Sequence, residues 1–100
     1  MDYTYLNELN DIFNDHKKVI EELRKALNSF EDHQEKYKKL VNYYYSENFP
    51  KDMDASNRGE IGEDVNQAIL SEDAIYDLMG DNYYMGLALL EAANDTIQDR

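Results

Sequence analysis

Residues 2–48 read DYTYLNELNDIFNDHKKVIEELRKALNSFEDHQEKYKKLVNYYYSEN, a run with no glycine and no proline. Apolar positions recur in it at steps of three and four: Leu6, Leu9, Phe13, Ile20, Leu23, Leu27, Phe30, Tyr37, Val41 and Tyr44. His16 and Gln34 hold the two polar places in that seam, and Tyr5, Ile12, Val19, Ala26, His33 and Leu40 repeat every seventh residue beside it. Two apolar positions per heptad make a bare coiled-coil seam, whereas three make the wider stripe of a helix packed in a bundle. A helix of about 45 residues would run roughly 65 Å, so residues 1–47 either stay long and gently kinked or fold into a hairpin. Asn28-Ser29 and His33-Gln34 are the places for a break, because Asn and Ser are weak helix formers and good caps. The unbroken heptad phase across 27–34 favours the long helix.

Outward from this run, the chain is expected to loop over residues 48–62. Phe49-Pro50 should end the first helical region, since the residue before proline is pushed out of helical geometry. Shorter helices are then expected over 63–98. Val65, Ile69 and Leu70 suggest a first short one. Ser71 is placed to cap a second, with Glu72 and Asp73 in the first turn, where the helix dipole favours acids. Gly80 is expected to end that helix and Asp81 or Asn82 to start the last, whose apolar side is Tyr84, Leu87, Ala88, Leu90, Ala93 and Ile97. The whole predicts a single all-α domain over 1–100, a small bundle of three to four helices led by a long N-terminal helical region.

Composition bounds the function. The chain has 100 residues, no cysteine, and a formal net charge of −12. Disulfides, thiolate zinc sites and cysteine nucleophiles are excluded. The start, Met1-Asp2-Tyr3-Thr4-Tyr5, has neither the basic nor the apolar part of a signal peptide, and no apolar run approaches the roughly 20 residues of a membrane span. A cytoplasmic location without membrane contact is the expectation. The charge is also lopsided: residues 41–100 hold thirteen acids against three bases, while 1–40 hold nine against seven. Such a surface repels nucleic acid and attracts basic protein surfaces, so direct DNA or RNA binding is disfavoured.

Residues 39–79 carry a resemblance. Lys39-Leu40, Tyr43-Tyr44, Ser46, Phe49, Asp52, Gly59, Ile61 and Asp64 lead to Leu70-Ser71-Glu72-Asp73-Ala74-Ile75-Tyr76-Asp77-Leu78, the most specific stretch. Together they resemble a bacterial family of about this length, the domain-of-unknown-function family 4298. The chain departs from that pattern at Asn66, Gln67 and Ala68, where the family is expected to carry a basic pair and a glycine, and at Phe49, where it is expected to carry Trp. The resemblance implies a helical fold and no particular activity.

No catalytic, cofactor or metal-binding residue emerges. His16 and His33 lack the Glu-x-x-His spacing of di-iron bundles and are expected to serve packing or surface roles. Residues 52–63 have the flavour of a calcium loop, yet no register places both the ligands and the turn glycine, so a solvated polar loop is the better reading. The acids form rows four residues apart: Asp73, Asp77 and Asp81, then Glu91, Asp95 and Asp99. On a continuous helix each row would set carboxylates about 6 Å apart, on the scale of phosphates along a DNA strand, although the stop expected at Gly80 interrupts the first row and a solvated acidic face is the plainer reading. Tyr43-Tyr44-Tyr45 cannot all face one core, because neighbours on a helix are turned by about 100°.

These features predict a non-catalytic, acidic protein-binding module that meets a partner with a basic surface, as an inhibitor or adaptor imitating nucleic acid. Its contact residues would be Asp73, Asp77, Asp81, Glu91, Asp95, Tyr43, Tyr45 and Tyr83. The alternative is a structural module that forms a homodimer through the heptad seam.

Overall fold

A computed structural model describes residues 1–98. Among them are three helices and no strand: α1 (Tyr5–Tyr44), α2 (Asn48–Asn57) and α3 (Ala74–Gln98). The chain divides into two units, Met1–Tyr37 and the part from Lys38 onward.

The first unit is helix throughout from Tyr5. Asp2 accepts a 3.0 Å hydrogen bond from the Thr4 backbone N–H just ahead of the helix. That bond holds the Asp2 carboxyl below its ordinary range. Asn28, Ser29, His33 and Gln34 all lie inside α1, so the heptad phase wins over the local capping tendency of Asn and Ser. None of the forty residues of α1 is buried. The apolar stripe that the periodicity draws is present, and its large side chains between Tyr5 and Leu27 are exposed.

The second unit holds the corner that follows α1. Helix α1 stops at Tyr44, and α2 begins at Asn48 rather than giving way to the expected loop. Pro50 is compatible with this because it sits in the first turn of α2, where a backbone N–H has no intrahelical acceptor. Phe49, its neighbour, is buried, and Asp52, Met53 and Ser56 are half-buried at the third, fourth and seventh steps beyond it. That spacing is one helical face. The loop therefore begins at residue 58, ten residues later than the sequence suggests. Gly59 ends α2 with φ at +71°, the left-handed conformation that glycine adopts without cost. The Glu60 N–H bonds to the Ala55 carbonyl at 2.9 Å and the Gly59 N–H to that of Ser56 at 3.1 Å, a paired closure of the helix end.

The expected helix over 63–70 is absent. Two tight turns replace it, closed by bonds from the Val65 N–H to Gly62 (3.1 Å) and from the Leu70 N–H to Gln67 (2.9 Å). The Gln67 side chain braces them. Its amide nitrogen lies 3.2 Å from the Gly62 carbonyl, and its oxygen accepts from the Ser56 hydroxyl at the end of α2. Helix α3 then runs unbroken through Gly80 and Gly86. An internal glycine costs a helix only about 1 kcal/mol relative to alanine, so Gly80 weakens α3 without ending it. Ile75 is the most buried side chain among the described residues, and only it and Phe49 count as core.

Candidate functional site

The candidate residues fall into two places, the corner and the face of α3. In the corner, the Tyr43 hydroxyl donates a 2.7 Å hydrogen bond to Asp52. Its ring meets Phe49 edge-on at 5.7 Å, and Tyr44 lies 5.1 Å from the same Phe49 ring. Burial, then the bond to Asp52 and its negative charge, push the Tyr43 hydroxyl up to about 12. Tyr43 thus spends its polar and apolar ends on the corner itself. Tyr45 alone of the triplet points outward, at 72% exposure. Ser46 completes the turn by donating to the Tyr43 carbonyl at 2.7 Å and accepting from the Asn48 N–H.

On α3, the start is fixed as the sequence suggests: the Ser71 hydroxyl accepts from the Ala74 N–H at 3.1 Å. Asp73 precedes the helix and Asp77 lies in its first turn. Because α3 continues through Gly80, Asp77, Asp81, Glu91 and Asp95 all ride on one helix. Asp77 and Asp95 are separated by five whole turns, so the four carboxylates fall within about 80° of arc at 100° per residue. All of them, and Asp73, are exposed. They form two pairs, each about 6 Å apart, with roughly 15 Å between Asp81 and Glu91. Tyr84 and Ala88 occupy the same side in that gap. Residues 74–98 contain no Lys, Arg or His, so α3 has no internal counter-charge. Asp99, the last of the second row, lies outside the described residues.

Tyr83 and Tyr84 pack against each other at 5.5 Å and 74°, and both are more than 60% exposed. A shallow open concavity joins these rings to the acids. Its lining includes Tyr76, Asp77, Gly80, Asp81, Tyr83 and Tyr84. With one helix for its wall, it can meet a protruding side chain, and it does not enclose a small molecule in the manner of a preformed pocket.

The remaining candidates separate. His16 and His33 are exposed on one helix, seventeen residues and so about 25 Å apart, and cannot share a ligand. Asp52 and Asp54 of the calcium-like stretch belong to α2; Asp52 accepts from Tyr43, and Asp54 pairs with Arg58 at 3.0 Å. Among the described residues no group of three or more potential ligands could hold a metal. No described helix is long and apolar enough to cross a membrane.

Two residues with structural roles escaped the sequence reading. Gln67 organises the loop, and nothing in a lone polar residue announces that it will reach three carbonyls. Phe49 anchors the corner, and its signal was legible in the 49, 52, 53, 56 spacing. Comparison with curated proteins and with solved structures returns no match. The sequence pattern of a family described as a domain of unknown function, DUF4298, matches residues 6–92. The match takes in most of α1, all of α2 and most of α3, reaching well beyond the stretch that carries the resemblance, and the chain is a member of the DUF4298 family.

Proposed function

We propose that this protein is a non-catalytic binding module whose α3 docks, through its acidic face, on a basic protein surface. The observation that carries the reading is the continuity of α3 through Gly80, which gathers Asp77, Asp81, Glu91 and Asp95 on one exposed side with no base on the helix. Two further points support it. Asp95 sits in the last turn, where the helix dipole disfavours an acid. Exposed Tyr83 and Tyr84 supply the large, low-entropy rings common in protein interfaces.

The concrete form is an inhibitor or adaptor that occupies the groove of a nucleic-acid-handling protein. Two carboxylate pairs with Tyr84 between them suit a surface with two basic clusters on either side of a pocket. The test compares the wild-type chain with D77N/D81N/E91Q/D95N, each immobilised and challenged with nuclease-treated host lysate. A basic protein held only by the wild type, released by moderate salt and displaced by added DNA or RNA, is the expected result. Binding that survives neutralisation or ignores salt sinks the reading.

A further inference from the structure

The first unit, residues 1–37, presents an apolar stripe on a helix with no other element in that unit to cover it. Tyr5, Leu6, Leu9, Ile12, Phe13, Val19, Ile20, Leu23 and Leu27 are each between 38% and 62% exposed. Helices draw most of their stability from burying such a face, so a bare stripe of this length is costly. If these side chains surrender most of what they expose, each helix covers on the order of 800 Å², the share per partner in a standard stable interface.

The polar flanks say what covers it. Counting 100° per residue from His16, the stripe is centred on Leu9, His16, Leu23 and Leu27, with Phe13 and Ile20 on one side and Ile12 and Val19 on the other. Glu8, Asp15 and Glu22 line one edge, at about −80° to −120°. Lys17 and Arg24 line the opposite edge, at about +80° to +100°. Lys17 lies along the stripe itself, its ammonium 5.5 Å from the centre of the Phe13 ring. Glu21 stands behind Arg24 and touches it at 3.8 Å with both side chains exposed, leaving Arg24 turned to the edge.

One edge is therefore acidic and the other basic, and this sidedness discriminates between partners and orientations. A two-fold axis along the helix brings the acidic edge of one copy against the basic edge of the other, on both sides of the seam. A two-fold axis across the helix sets acid against acid and base against base. His16, the polar residue on the centre line of this stretch, meets its own copy when two parallel chains are in register and a leucine when they slip by a heptad.

We infer that residues 5–27 of α1 pair with the same residues of a second copy of this chain, parallel and in register, with Lys17 and Arg24 of each copy against Asp15 and Glu22 of the other. This goes beyond the docking of α3, which uses a different helix, and either can fail alone.

The absence of cysteine makes the test direct. Single variants Leu9→Cys and Leu23→Cys, equilibrated in a glutathione redox buffer, each form a disulfide with their own kind in the parallel arrangement. A mixture of the two gives no excess of the Leu9–Leu23 species. Preferential formation of that mixed species signals the antiparallel arrangement and overturns the inference. Light scattering on the unmodified chain reads two chains at about 100 μM; one chain, or more than two, overturns it as well. Lys17→Glu with Arg24→Glu weakens self-association about tenfold. Mixing that variant with Asp15→Lys, Glu22→Lys restores a mixed dimer, a readout that leaves the apolar stripe untouched. Equal self-association of the charge variant and the parent counts against the flank contacts and with them the parallel pairing.

Discussion

The corner at residues 43–56 and the helix at residues 5–27 are built from the same kinds of side chain and come to opposite ends. In the corner, Phe49 is buried, Tyr43 and Tyr44 close on its ring, and Asp52 and Ser46 answer the polar groups of the turn. Along the first helix, Leu, Ile and Phe in regular array remain exposed. Apolar content is similar, so composition cannot account for the difference. What differs is whether the chain turns back: two helices meeting within a dozen residues can cover each other, and a lone helix cannot cover itself.

Substitutions sharpen that contrast in decreasing order. Phe49→Ala empties the centre of the corner and is expected to cost about 3 kcal/mol or more, read by urea unfolding. A loss under about 1 kcal/mol would break the comparison at its stronger end. Tyr43→Phe keeps the ring and removes the hydroxyl bond to Asp52, at a cost of about 1 kcal/mol near neutral pH. This variant also carries a pH signature. The Tyr43 proton is held more tightly in the folded chain, up to about 12. Its contribution is complete below the unfolded value near 10 and is lost as pH rises towards 12. The parent should therefore lose stability over that window faster than Tyr43→Phe; identical alkaline profiles would show the bond to be idle.

Ser71→Ala removes the hydroxyl that caps α3 and should cost about 1 kcal/mol, visible as a lower melting temperature. The smallest effect belongs to the other region. Leu23→Ala, at 58% exposure, should change the unfolding of the dilute single chain by less than about 0.5 kcal/mol. A cost near that of Phe49→Ala at the same dilution would mean the two regions are not different in kind.

The sequence spoke clearly where a long period could express itself. The seam from Leu6 to Tyr44 predicted α1 within a few residues of its observed end, and Ser71 was recognisable as a helix start. It misled where one strong local signal stood alone. Pro50 reads as a stop, although a proline in a first turn begins a helix as readily. Gly80 reads as a stop, although its cost is small against the apolar residues on either side of it. Val65, Ile69 and Leu70 suggested a helix, but Gly62 and the Gln67 side chain bind that stretch into turns. The acidic face suffered from the same error. With a break expected at Gly80, the alignment of Asp77, Asp81, Glu91 and Asp95 over five turns is hidden in the sequence. Tyr43 is legible as an aromatic with a task, but its bond to Asp52 is not, because Asp52 lies on a helix that Phe49-Pro50 hides in the sequence.

The corner has a consequence for how the chain acquires its structure. Its defining bond joins residues nine apart, Tyr43 and Asp52, and the brace across the following loop joins Ser56 to Gln67, eleven apart. Contacts this close along the chain require little loop closure before they form, and domains dominated by them assemble in microseconds to milliseconds. On a ribosome, the corner can close once Asp52 has left the exit tunnel, before α3 has emerged from it.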